Sequence, residues 1–167
     1  MSATVSIAET NGAGATITAS ITNANMGNTD AVNLDPVAYP VTPGERTYAK
    51  YQRFNVTNMG GSSAVQNLKV WRTSALGGSA THVTNARLTS YAGAASYATP
   101  VKTAITGADQ AMPTSVPATA NLGIGGSLTG SLTATGYSDY LIHQIVTDAG
   151  DVAGSTSTMN YQYDEIA

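Results

Sequence analysis

Short runs in which apolar and polar residues alternate, each closed by Gly, Asn or Pro, constrain this chain more than any other feature. A period of two is the signature of a strand with one buried face. Thr4–Glu9 alternates in this way, and Asn11-Gly12-Ala13-Gly14 ends it with residues that tolerate positive φ. Thr16–Ile21 alternates again, so the first two runs are expected to pair as a hairpin. Thr47–Thr57 is the longest expected strand, followed by a turn at Asn58–Ser63 and a strand at Val65–Arg72. In that last run Leu68 and Val70 share one face, and Asn67, Lys69 and Trp71 the other. Trp71, the single tryptophan, is expected to pack in or beside the core. Ser127–Thr133, Tyr140–Thr147 and Thr158–Tyr163 complete the set. The last puts Met159, Tyr161 and Tyr163 on one face, and the final two runs are expected to form a hairpin.

Two stretches lack this period. Asn23–Pro43 contains Pro36, Pro40 and Pro43 and reads as a long ordered loop or an edge crossing, since proline lacks the N–H that a central strand needs. Thr73–Gly126 is rich in Ala, Thr, Gly and Pro. Within it Thr84–Tyr91 has the pattern of a short strand, and Ala111–Pro117 reads as extended. Val101, Ala104 and Ile105 have helical spacing over too few turns to hold a helix. The expected architecture is all-β: an immunoglobulin-like or jelly-roll antiparallel β-sandwich with long loop insertions. Residues 1–167 form one domain in this reading, with 73–126 as a loop-rich insertion or arm. Tyr140, placed after Gly136-Tyr137-Ser138-Asp139, resembles the tyrosine corner of immunoglobulin-like domains, although their inter-sheet disulfide is missing.

Composition then narrows the classes of function. Charged residues make up 10% of the chain, well below the roughly 25% of an ordinary domain. Hydroxyl and amide side chains take over the solvation of the surface, which leaves little repulsion between copies and suits a protein that works inside an assembly. The net charge is −3 and the seven Lys and Arg are scattered, so the clustered cations of a phosphate-binding surface are missing and direct nucleic-acid binding is not expected. Without cysteine there is no thiol nucleophile, disulfide or zinc–thiolate site. The opening Met1–Val5 has no charged region followed by an apolar one, as a secretory signal has, and no apolar run approaches ~20 residues, so no membrane span is expected.

No residue is nominated as catalytic, cofactor-binding or metal-ligating. A Ser-His-Asp set has only His82 and His143 to draw on, and no G-x-S-x-G elbow exposes a serine. His82 lies in a Gly/Ser/Thr run and is expected at the surface; His143, near Asp139 in sequence, is expected to be structural. Asp148 and Asp151, near Asp139, have the oxygen chemistry for calcium but not the EF-hand spacing, and read as turn formers. Asp164-Glu165 reads as solvated tail charge. Gly123-Ile124-Gly125-Gly126 lacks the lysine of a phosphate loop. Asn55-Val56-Thr57 is a glycosylation sequon only in form, since it falls in an expected strand.

Several segments resemble a family of small virion proteins of tailed bacteriophages and prophages. They are Thr4-Val5-Ser6-Ile7-Ala8-Glu9-Thr10-Asn11-Gly12, Asn33-Leu34-Asp35-Pro36-Val37-Ala38-Tyr39-Pro40-Val41, Tyr48-Ala49-Lys50-Tyr51-Gln52-Arg53, Val65-Gln66-Asn67-Leu68-Lys69-Val70-Trp71 and Asn160-Tyr161-Gln162-Tyr163-Asp164-Glu165. These are packing and turn signatures and carry over no active-site residue. The resemblance implies a non-enzymatic, multi-copy part of the virion without a cofactor: a capsid decoration or cement protein binding the major capsid protein, or a neck or tail component, with a homo-oligomer or multi-copy assembly as its working state. The alternative is a carbohydrate- or cell-surface-binding module of adhesin or lectin type, for which Trp71, Tyr48, Tyr51, Tyr161 and Tyr163 are the only aromatic platform material.

Overall fold

The computed structural model describes residues 1–84, 96–105, 109–152 and 154–167. Alternation becomes strand at β1 (Thr4–Glu9), β2 (Lys50–Asn58), β3 (Ala64–Thr73), β4 (Thr81–Thr84), β5 (Gln110–Ala111), β6 (Ser131–Leu132), β7 (Gly136–Tyr137), β8 (Leu141–Val146) and β9 (Thr158–Ile166). The only helical segment among the described residues is a 3-10 turn at Ala13–Ala15. One sheet runs β1-β2-β8-β4-β5, with β7 also paired to β2; the other runs β6-β3-β9. Every pairing is antiparallel. The fold is therefore an all-β sandwich of unequal sheets, as the alternation predicts. The strand suggested for Thr84–Tyr91 lies outside the described residues after Thr84.

Both expected hairpins are replaced by other pairings. β1 pairs along its whole length with β2, Ile7 opposite Phe54 and Glu9 opposite Gln52. The Thr16–Ile21 run keeps only a bridge from Thr18 to Glu9 and a bond from Ile21 N to Ile7 O. Its small residues and a positive φ at Ser20 (55°) stop it from continuing as a ladder. β8 and β9 fall in different sheets, β8 between β2 and β4, β9 against β3. The chain from Thr147 to Ser157 crosses between the sheets instead of turning back.

β2 and β3 also change sheets at their connection. Gly60 makes that corner possible: its φ is +61°, its N–H is held by Asn58 Oδ1 at 2.7 Å, and a Cβ there would overlap Met1 O. Gly61 N donates to the same carbonyl at 2.7 Å, which ties the amino terminus to the corner.

The main core lies between the sheets. Phe54, Val56 and Leu141 face Val65, Leu68 and Val70, and Met112, Leu122 and Ile124 close one side. The described part of the stretch 73–126 thus supplies β4, β5 and three residues of this cluster. Tyr161 and Tyr163 of β9 meet the Phe54 ring edge-on, at 5.6 and 6.3 Å between centroids. A second cluster covers the opposite face of the larger sheet: Ala49, Tyr51, Tyr140 and Ile142, with Tyr97 and Ile105 against them. With each large side chain buried contributing about 1.5–3 kcal/mol, covering both faces of β2 and β8 makes them the stable centre of the fold. Trp71 stands half-buried on the outer face of β3, beside the core rather than in it.

Candidate functional site

The inner face of the larger sheet changes character along β2. Phe54 and Val56 are apolar, whereas Lys50 and Gln52, on the same face by the period of two, are polar and fully buried. Register places partners on that face. Glu9 of β1 lies opposite Gln52, His143 of β8 opposite Lys50, and Thr84 of β4 opposite His143. His82, two residues before Thr84, shares its face.

These side chains form one continuous hydrogen-bonded chain. Lys50 Nζ donates to Glu9 Oε1 at 2.7 Å and to Ala31 O at 2.6 Å. Gln52 Nε2 donates to Glu9 Oε2 at 2.7 Å. Because the carboxylate only accepts, Gln52 must present its oxygen on the other side. That oxygen accepts from Tyr161 Oη at 2.7 Å and from His143 Nε2 at 2.9 Å. With its proton on Nε2, neutral His143 has Nδ1 free to accept, and His82 Nε2 donates to it at 2.8 Å. His82 then keeps Nδ1 as an acceptor, without a hydrogen-bond partner among the described residues.

Burial sets the ionisation of this chain. It pushes the Glu9 carboxyl above its ordinary value, against the attraction of Lys50 and the hydrogen bonds from Lys50 and Gln52. It pushes His82 down to about 3, helped by the Arg72 charge. His143 is held well below its usual value by burial first, then by His82 and Lys50. Burial, with the Glu9 charge, pushes Tyr161 up. At neutral pH both histidines are neutral and their bonded atoms are committed to structure.

A cavity of about 1080 Å³ opens over this polar floor. Ile7, His82, His143 and Ile145 line it from the larger sheet, and Thr158, Met159 and Tyr161 from β9. Loop residues within 21–28 and 36–43, with 151–152 and 154–157, supply further wall where another strand of the smaller sheet would otherwise lie. Asp151 is the only carboxylate in this lining, and its oxygens accept from Ser79 N at 2.6 Å and Asp148 N at 2.7 Å.

The individual sequence expectations fall as follows. His143, expected to be structural, is wholly buried and bonded to Gln52 and His82. His82 is not a surface residue: β4 begins at Thr81 and carries it inward, to 5% exposure. Asp139 does not approach His143; its carboxylate accepts from Gly126 N at 2.6 Å, in the glycine run once compared with a phosphate loop. Asp148 and Asp151 cap their own turn, and among the described residues no cluster of three or more His, Asp or Glu is arranged to hold a metal ion. Asp164 and Glu165 belong to β9 rather than to a tail. Glu165 accepts from Ala3 N at 2.9 Å and Ser62 Oγ at 2.5 Å, and Asp164 from Asn67 Nδ2 at 2.6 Å. Comparison with protein-family models, with curated proteins and with solved structures finds no match for the chain.

Proposed function

We propose that this chain is a non-enzymatic structural protein of a tailed-phage virion, present in many copies as a capsid decoration or cement protein on the major capsid protein. The observation that carries this reading is the outer edge of β9. β9 is nine residues long, contains no Pro, Gly or Lys, and has no strand partner beyond β3 among the described residues. Proteins that work alone blunt such an edge with Pro or charged residues or cover it; in β9 the charge is confined to Asp164 and Glu165, which leaves Thr158–Tyr163 open to pair with another chain. The low surface charge works in the same direction. The non-enzymatic part is supported by the buried chain from Lys50 to His82, in which neither histidine bonds to a hydroxyl nucleophile or a carboxylate. The glycan-platform alternative keeps only Trp71 and Tyr48, both half-buried, because Tyr51 is buried and Tyr161 and Tyr163 pack on Phe54.

Quantitative mass spectrometry of purified particles tests the proposal. The expected result is a copy number in the hundreds, in fixed ratio to the major capsid protein. Absence from the particle, or a glycan that binds the isolated protein in its place, overturns it.

A further inference from the structure

The direction of the unpaired groups on β9 follows from register. Val70 N and Arg72 N turn toward the 113–121 segment, where they meet Asn121 Oδ1 at 2.8 Å and Pro113 O at 2.8 Å. Lys69, Trp71 and Thr73 therefore turn toward β9, and their partners Gln162, Asn160 and Thr158 turn back to them. Met159, Tyr161 and Tyr163 are left with N–H and C=O groups directed outward; among the described residues β9 has no strand partner but β3, and no backbone hydrogen bond outside the ladders uses them. The cavity runs beside this edge, with Met159 and Tyr161 in its wall. An open edge and an apolar trench thus share one place.

We infer that the trench receives an extended segment of a partner chain, which pairs with β9 and adds a fourth strand to the smaller sheet. The inference rests on the assembly reading and supplies the chemistry of the contact. A strand satisfies the outward amides of Met159, Tyr161 and Tyr163, a span of about 13 Å, and sends alternate side chains onto Ile7 and Ile145. A small molecule fills apolar volume but leaves that row of backbone groups unpaired. The cavity is also slightly larger than the roughly 300–1000 Å³ typical of pockets for drug-sized ligands. The occupant is neutral or basic along this segment, because among the described residues Asp151 is the one carboxylate of the lining and no Lys or Arg stands there to receive an acid. A whole second sandwich does not enter the trench, because its own larger sheet lies beneath its β9.

The probe is the capped heptapeptide acetyl-Thr-Val-Thr-Val-Thr-Val-Thr-amide, added to the isolated full chain. Residue-resolved amide exchange is the readout. The expected result is slowed exchange at Met159, Tyr161 and Tyr163, with Asn160 and Gln162, already bonded to β3, unchanged. Met159→Pro removes one outward N–H and leaves the β3 ladder whole, so it should weaken the peptide about tenfold. Met159→Leu, which keeps the N–H, should bind as the parent does. A peptide that fails to protect these amides overturns the inference. So does an analogue N-methylated at every valine that binds equally well, since that marks a pocket for apolar molecules. Either failure leaves the copy number in the particle as it was, so the assembly reading stands or falls separately.

Discussion

Lys50 Nζ lies 2.7 Å from Glu9 Oε1, and the two side chains are only 2% and 0% exposed. Each has a further partner: Lys50 also reaches Ala31 O, and the second Glu9 oxygen takes Gln52. Removing one member of such a pair leaves an uncompensated charge away from water, at a cost of about 3–5 kcal/mol. Lys50→Met should therefore lose that much in urea unfolding. Lys50→Met combined with Glu9→Gln should lose less than Lys50→Met alone, because no charge is left behind. Simple additivity of the two single losses would refute the coupling.

Asn121 does the work of a strand. Its Oδ1 accepts from Val70 N at 2.8 Å and its Nδ2 donates to Val70 O at 2.7 Å, in a site closed to solvent. β6 covers β3 only at Val65 and Gln66, so beyond that point a side-chain amide takes over the pairing. Asn121→Ala should orphan both Val70 groups, at about 1–3 kcal/mol each. Accelerated exchange of the Val70 amide, alongside the lower unfolding midpoint, is the accompanying sign; an unchanged midpoint sinks the assignment.

The sequence made β1, β3 and β9 legible through alternation of apolar and polar residues, and β2 and β8 through runs rich in aromatic and β-branched residues that are buried on both faces. Leu68 and Val70 inside, Lys69 and Trp71 toward the surface, and Met159, Tyr161 and Tyr163 together all follow from the alternation. Pairing was not legible, because alternation says which face is buried and nothing about which strand lies alongside. That is why β8 and β9 look like a hairpin in sequence and are not one. The candidate site was hidden for a different reason. Lys50 and Gln52 share parity with Phe54 and Val56, so the core face of β2 turns polar at one end. That parity conflict was the available signal. Its meaning depends on Glu9 and on His82 and His143, which stand 41 and 61 positions apart from their partners.

Gly27 is required where Gly150 is not. A Cβ on Gly27 would overlap Tyr39 O and reach within 2.6 Å of Leu34 Cδ2, whereas one on Gly150 meets nothing within 4 Å. Gly27→Ala must push the 36–43 loop away from Met26 and Asn28, which both line the cavity. Overpacking of this kind costs about 1–3 kcal/mol. Gly150→Ala should instead gain about 0.4–1 kcal/mol by restricting the unfolded chain. Thermal melts of the two variants are expected to shift in opposite directions, and a matched shift would show that the loop is not held as described.

The pH dependence of stability follows from the buried histidine pair. In the unfolded chain each histidine protonates near 6.5, whereas in the fold His82 is held down to about 3 and His143 well below its usual value. The folded state therefore prefers the neutral rings. Their contribution is fully present above pH 6.5 and is lost as the pH falls from there toward the folded value, because the unfolded chain takes up protons first. Each such histidine contributes a slope of about 1.4 kcal/mol per pH unit in that window. Lys50 and Arg72 add to the effect by disfavouring an imidazolium. Glu9 works the other way, since its raised value lets the fold take up a proton earlier, but only on approaching the carboxylate range. The loss is thus expected to begin near pH 6.5 and to approach its full slope about one unit lower. Urea unfolding at pH 7.5, 6.5 and 5.5 should show little change over the first step and a marked fall over the second. His82→Gln keeps an N–H to donate to His143 Nδ1 and removes one titrating ring, so it should roughly halve that fall. A parent protein as stable at pH 5.5 as at 7.5 would mean that the pair is not neutral and sequestered, and would also remove His82 Nδ1 as an acceptor on the cavity floor.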